Sequence, residues 1–259
     1  MKKLIATILF TALVLLSCAA LAEDSLVGQS MPDFAATTCE GDEVVLSELL
    51  SEKDLVVVNI FASWCPPCKM EFPEMEKVYE ELSDRMEIVA VTAEPKDTDE
   101  IIANYKADLG LTFPMGLAAG TGIVELVKPW GFPTTLFIDK NGNVAFNQVG
   151  AFMSEGHFRA TVDYFLSDSY DGTPATAYNV YVCDQYQRSV PEAYVNFCTD
   201  TTCETKVSDE NGFICFAGKP QNYHLQILKV PEGYSFDNSY EESFDGANGE
   251  WLYLYVKKD

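Results

Sequence analysis

Histidine is nearly missing from these 259 residues: His157 and His224 are the only two. That scarcity excludes a histidine-rich metal centre and leaves little material for Ser–His or Cys–His catalysis. Positive charge is also scarce. Lys and Arg total 17 against 40 Asp and Glu, a formal net charge of −23. A surface that acidic repels phosphate backbones, so no nucleic-acid partner is expected. Arginine occurs only at Arg85, Arg159 and Arg188. Beyond the first residues there is no second long apolar run, and the chain has neither an internal repeat nor a low-complexity tract. What it does have is eight cysteines in an otherwise ordinary composition, 47% hydrophobic and 22% charged, which argues for a globular chain rather than a disordered one.

The beginning of the chain carries a compartment signal. Lys2 and Lys3 precede an apolar stretch from Leu4 to Leu16, and Ala20-Leu21-Ala22 follows as an A-x-A cleavage site. The stretch is short for a bilayer span, so residues 1–22 are expected to be a secretory signal peptide. The remainder then works outside the cytoplasm, secreted or at the cell surface. A second reading takes Leu15-Leu16-Ser17-Cys18 as a lipoprotein box with Cys18 as the lipidated anchor. Leu16 fits that pattern poorly.

Periodicity changes near residue 170. Before it, strand-like runs at Leu55–Phe61, Glu87–Val91, Thr134–Ile138 and Val144–Val149 alternate with helical spacing over Glu71–Leu82, Thr98–Leu109 and Ser154–Leu166. Thr98 and Ser154 are suited to N-caps. The alternation predicts an α/β domain around a central sheet, spanning 23–168. Asp139–Asn143 faintly matches a calcium loop but lacks the later acidic ligands and a following helix, so its Asn-Gly pair predicts a hairpin turn. Residues 169–176 read as a polar linker. After them come short aromatic or β-branched runs at Tyr178–Cys183, Ala193–Cys198, Phe213–Phe216, Tyr223–Leu228 and Trp251–Val256, broken by Pro, Gly, Asp and Asn. That pattern predicts a small all-β sandwich over 177–259.

The strongest chemical signal is Trp64-Cys65-Pro66-Pro67-Cys68, directly after the apolar run Leu55–Phe61 and opening a helix. At that junction Cys65 sits at a helix N-terminus, where free N–H groups and the positive dipole end favour a thiolate. Cys68, one turn on, can resolve a mixed disulfide. Pro66 and Pro67 suit a first turn, whose N–H groups lack helical partners anyway. Zinc would require two more Cys or His ligands at suitable spacing, and this half offers none, so neither a metal nor another cofactor is expected.

The run Val57-Val58-Asn59-Ile60-Phe61-Ala62-Ser63-Trp64-Cys65-Pro66-Pro67-Cys68-Lys69-Met70-Glu71-Phe72-Pro73 resembles the TlpA/ResA-type thioredoxin-like thiol–disulfide oxidoreductases. The likeness covers about residues 26–168, including the lead-in Gly28–Phe34 and a hairpin ending in Leu46-Ser47-Glu48-Leu49. Gly131-Phe132-Pro133-Thr134-Thr135 is similar to the family's cis-proline segment. The resemblance implies that Pro133 lies against the disulfide and that its surroundings, with Phe132 and Trp64, bind an extended substrate chain. It places Asn59 where thioredoxin has a buried Asp. It also implies that Glu71, three residues after Cys68, lies near the sulfurs and moves the proton of Cys68. Glu94 is a weaker candidate for that task. Lys69 is expected to be solvated, and Pro73 to kink its helix without chemistry.

Residues 174–259 resemble prealbumin-like or Cna-B-type β-sandwiches, on the segments Pro191–Val195, Ser208–Phe213 and Pro231–Tyr234. Many of these carry an internal Lys–Asn crosslink, but Tyr178–Cys183 has no Lys to form one. Cysteines supply the staple instead. Cys198 and Cys203 flank Thr199-Asp200-Thr201-Thr202 and are expected to pair where a hairpin closes. Cys183 and Cys215 are then expected to pair with each other, leaving Cys39 free.

The resulting expectation is an enzyme that exchanges thiols and disulfides on protein substrates, most simply as a reductant recharged by a membrane electron-transfer donor. An oxidant is the alternative direction, because Pro66-Pro67 does not set a reduction potential. A thiol peroxidase is a further alternative, though it would use an Arg beside the thiolate and none is near in sequence. A surface-binding protein with an incidental thioredoxin-like part is the last.

Overall fold

The computed structural model describes residues 26–239, 241–246 and 249–259. The signal-peptide and lipoprotein readings, with Cys18, lie outside the described residues. Among the described residues, no helix is long and apolar enough to cross a membrane.

The first half is built on β3 (Leu55–Phe61), every residue of which is buried. Burial on both faces is what a continuous apolar run demands of a central strand. β3 pairs in parallel with β4 (Met86–Thr92) and antiparallel with β6 (Thr134–Asp139). With β5 (Met115–Leu117) and β7 (Val144–Val149) the order is β5-β4-β3-β6-β7. A mixed five-stranded sheet of this order with helices on both faces is thioredoxin-like. A two-stranded ribbon, β1 (Ala35–Thr37) with β2 (Glu43–Val45), precedes it. The segment Leu46–Leu49, expected to end a hairpin, instead opens helix α1 (Leu46–Glu52), and Leu46 is its buried residue.

The two-residue period of β3 sorts its side chains. Leu55, Val57 and Phe61 face α2 (Pro66–Leu82) and α5 (Glu155–Leu166), packing in one cluster with Phe72, Met75, Phe158 and Val162. Val56, Val58 and Ile60 face the other way, toward Met31, Leu46 and Ile123 of α4 (Ile123–Val127). Asn59 shares the parity of Val57 and Phe61, which directs a buried amide toward α2. Thr98 and Ser154 cap α3 (Asp99–Leu109) and α5 by accepting from Ile101 N and His157 N. Asp139 closes the β6–β7 turn by accepting from the N–H groups of Asn141 and Asn143, and Gly142 supplies the positive φ of 80° the turn needs.

The second half is two four-stranded sheets. One has the order β10-β9-β12-β14, formed by β9 (Tyr194–Cys198), β10 (Cys203–Val207), β12 (Tyr223–Lys229) and β14 (Glu242–Phe244). The other has the order β11-β8-β15-β13, formed by β8 (Thr176–Asp184), β11 (Phe213–Gly218), β13 (Tyr234–Ser235) and β15 (Trp251–Lys258). Tyr178, Val180 and Val182 of β8 meet Val195, Phe197 and Leu225 in a core of their own. The intervening segment is tied down rather than loose: the Tyr170 hydroxyl donates to Asp139, and Asp171 pairs with Lys219. β8 takes up Thr176, one residue of the expected linker.

Cys198 and Cys203 face each other in register and form a disulfide with Cα atoms 4.0 Å apart. Cys183 and Cys215 do not pair; both are free and buried. Their strands are neighbours, but Cys215 stands opposite Asn179 and the β8 register places Cys183 four residues further along. That offset is about 13 Å at the rise of a strand, twice what a disulfide spans. Elimination among four cysteines paired them; sheet register separates them.

Candidate active site

Cys65 is the N-cap of α2, with extended backbone, and its Sγ accepts a hydrogen bond from the Cys68 N–H at 3.2 Å. The two cysteines are disulfide-bonded, Cα to Cα 5.4 Å. Cys65 keeps 3% of its surface exposed and Cys68 none, so Cys65 is the more accessible of the pair. The loop that delivers Cys65 is fixed by Asp97. Its carboxylate accepts from the Ser63 N–H and from the hydroxyls of Ser63 and Thr92. Sequence reading missed Asp97, since a residue 34 positions from Ser63 carries no local signal.

Glu71, one turn of α2 after Cys68, is fully buried. Its place is set by helix geometry: three residues after Cys68, it lies on the same face of α2. The Asn59 amide donates to Glu71 Oε1 at 2.8 Å and to the Thr135 hydroxyl at 2.9 Å. The Phe152 N–H donates to Glu71 Oε2 at 2.9 Å. Burial pushes the Glu71 carboxyl up to about 8, against these two hydrogen bonds, which hold it down. A carboxyl in that range exchanges a proton near neutral pH. The Phe152 amide was not visible beforehand, because a backbone donor has no sequence signature, and the cis-proline segment did not show that the Thr135 hydroxyl accepts from Asn59.

The Phe132–Pro133 peptide bond is cis and Pro133 is buried. The backbone around it is partly committed: the Pro133 carbonyl accepts from Gly150 N–H, and the Gly131 carbonyl from the Thr134 hydroxyl. Those two carbonyls are therefore already engaged within the fold. Phe132 packs edge-on against Trp64. Glu94 holds Trp64, accepting from its indole N–H at 2.7 Å; its carboxylate serves the tryptophan and the Lys96 N–H and is not placed to rival Glu71. Around the site Trp64 is 62%, Met70 68% and Trp130 85% exposed. These exposed apolar side chains lie on the segments that carry Cys65, Cys68 and Pro133 in the chain. Lys69 is exposed, and Pro73 lies within α2.

Among the described residues no cluster of His, Cys, Asp and Glu suits a metal ion. The arginines serve ion pairs elsewhere: Arg85 with Asp54, Arg159 with Glu81 and Glu155, Arg188 with Asp184.

A family model described as the AhpC/TSA family matches residues 27–147. Thiol-disulfide oxidoreductase ResA of Bacillus thuringiensis (strain Al Hakam) is 31% identical over 129 residues, 49% of this chain and 72% of the relative. Thioredoxin-like protein YneN of Bacillus subtilis (strain 168) is 35% identical over 124 residues, 48% of this chain and 71% of the relative. Among solved structures, StoA from Bacillus subtilis aligns over 49% of this chain and 94% of its own, with 22% identity and a TM-score of 0.42.

Proposed function

This chain belongs to the family of the thiol–disulfide oxidoreductase ResA, and we propose that it reduces protein disulfides outside the cytoplasm through Cys65 and Cys68. The observation that carries the reading is the buried Glu71 carboxyl on the Cys68 face of α2, held between Asn59 and the Phe152 N–H. A structural disulfide has no use for a titrating acid buried one turn from it, whereas dithiol exchange must move a proton on and off the inner sulfur.

The cycle starts from the dithiol. The Cys65 thiolate attacks one sulfur of a substrate disulfide; that S–S bond breaks, and the other substrate sulfur leaves as a thiolate. Cys65 is now joined to the substrate by a mixed disulfide. Glu71, ionised, takes the proton of Cys68, and the Cys68 thiolate attacks the Cys65 sulfur. The second substrate sulfur leaves, the Cys65–Cys68 bond closes, and two electrons have passed to the substrate. Trp64 and Phe132 form the surface against which the substrate chain lies, and the cis peptide at the buried Pro133 sets the course of the segment that carries Phe132. A dithiol donor, in our reading a membrane electron-transfer protein, restores the reduced pair by the reverse exchange.

Extracytoplasmic location is supported by the signal pattern in residues 1–22 and by the Cys198–Cys203 disulfide, which an oxidising space maintains. The two-domain division, 23–168 and 177–259, is supported by two main core clusters, which meet where Ala177 and Ala217 join the first and Ala160 packs on the second. Insulin reduction by wild type, lost in Cys65→Ser, tests the activity. The equilibrium of Cys65–Cys68 against glutathione tests the direction: a potential below the glutathione couple supports a reductant, and one far above it makes the protein an oxidant.

A further inference from the structure

We propose that Asp209 of the β-sandwich is a positioning residue for the redox site: it grips Ser154 and so keeps the Phe152 N–H aimed at the Glu71 carboxylate. The proposal rests on the redox reading above and gives the second domain a part in it.

Residues 151–153 belong to neither helix nor strand, yet Phe152 supplies the backbone donor on Glu71 Oε2. No ladder fixes the direction of that N–H, so the ends of the segment must. Upstream, the Gly150 N–H donates to the Pro133 carbonyl. Downstream, two further carboxylates take hold. Glu74, three residues after Glu71 on α2, accepts from the Glu155 N–H at 3.1 Å. Asp209 Oδ2 accepts from the Ser154 hydroxyl at 2.9 Å, while Ser154 Oγ caps α5 by accepting from the His157 N–H. The Phe152 ring is anchored in the core, 5.0 Å from Phe158 and 4.8 Å from His157. A ring anchor fixes the side chain, but the peptide plane follows its neighbours. Of the holds on this segment, Asp209 is the one that comes from the sandwich. It is itself rigid. Its Oδ1 accepts from the N–H groups of Asn211 and Phe213, closing the turn, and the Gly212 carbonyl accepts from the Val182 N–H of β8.

The groups around Glu71 leave its titration a clean readout of this hold. From the sheet, Asn59 donates to it, and Thr135 accepts from the same amide; neither is charged. From α3, Tyr105 feels both Glu71 and Asp97, and burial and these charges push its phenol up. From α5, burial keeps His157 neutral, with its pKa down at about 3. On α2, Glu74 is paired with Lys77, and in the oxidised protein Cys65 and Cys68 are bonded to each other. Glu71 is therefore the group here that changes charge near pH 8. The Phe152 hydrogen bond favours its ionised form, so a misaimed N–H raises the midpoint. Loss of the Asp209 charge by itself acts the other way, because removing a nearby anion favours ionisation. The sign separates positioning from plain electrostatics.

The test titrates the oxidised full-length protein, isotope-labelled at its glutamate carboxyls, by NMR; the resonance absent from Glu71→Gln belongs to Glu71. Asp209→Ala should raise its midpoint by roughly half to one pH unit, the scale of a weakened hydrogen bond to a carboxylate. Resolution of a Cys65 mixed disulfide at pH 7 should slow about three- to tenfold in step, as the ionised fraction of Glu71 falls. A midpoint that stays or falls overturns the proposal. Asp209→Asn keeps the acceptor that closes the turn and offers its amide to Ser154 Oγ, so it should rise less than Asp209→Ala; an equal rise overturns the proposal. Ser154→Ala breaks the same contact from the thioredoxin-like side and decides the matter if Asp209→Ala does not fold. It should raise the midpoint too, and the double variant should go no higher than the higher single one; no rise, or an additive one, overturns the proposal. Insulin reduction by the wild type is scored separately. Activity with an unmoved titration sinks the Asp209 assignment alone, and a moved titration in an inactive protein sinks the redox reading instead.

Discussion

Replacing Glu71 by Gln removes the titration one turn after Cys68 while keeping nearly the same shape. In the folded protein burial raises this carboxyl to about 8, whereas an unfolded chain returns it to the ordinary 4.5. The folded state therefore binds the proton more tightly, and the associated stability is fully present below about pH 4.5. It is lost progressively as pH rises through 8. At ~1.4 kcal/mol per pH unit, the window amounts to on the order of 5 kcal/mol. Urea unfolding of the oxidised protein at several pH values between 5 and 9 reads it directly. The wild type should lose stability with rising pH more steeply than Glu71→Gln, and the two curves should diverge by several kcal/mol at the alkaline end. The rate at which Cys68 resolves the Cys65 mixed disulfide should lose its dependence on a group titrating near 8 in the same variant. Parallel unfolding curves would refute the placement of a neutral acid in the core.

His157 gives the opposite sign: burial holds it neutral, with its pKa pushed down to about 3. Its contribution is present above about 6.5 and lost as pH falls toward 3, so His157→Gln should flatten acid unfolding in that window, measured by circular dichroism. Removing the Cys198–Cys203 bond by double Ala substitution should cost only about 2 kcal/mol, since the closed loop is short; a loss of 4 or more in chemical denaturation would contradict that. Thiol labelling of the unfolded, non-reduced protein followed by peptide mapping should find Cys39, Cys183 and Cys215 free; a Cys183–Cys215 peptide would contradict the sheet register.

The legible parts of this chain are those where one local rule dominates. Leu55–Phe61 announced a central strand because all seven residues are buried, and Cys65 announced a helix start because Pro-Pro follows a strand. Polar edge elements were silent. β10 (Cys203–Val207) has no buried residue to create alternation, and β1, β2 and β5 are three residues each. The site was legible wherever its residues share one helix, as Cys65, Cys68 and Glu71 do. It was opaque where partners come from elsewhere: Asn59 lies 12 residues from Glu71, Phe152 lies 81 from it, and Asp209 lies 55 from Ser154. Those contacts are set by sheet parity and by domain packing, which no window of sequence contains.

The central claim is that electrons leave through Cys65 and that Cys68 completes the exchange. The most direct measurement incubates reduced Cys68→Ser with a protein disulfide, quenches with acid and maps the adduct by mass spectrometry. The account predicts a stable mixed disulfide on Cys65, because attack proceeds and resolution cannot. No adduct on Cys65, or alkylation that labels Cys68 before Cys65 in the reduced wild type, would contradict it.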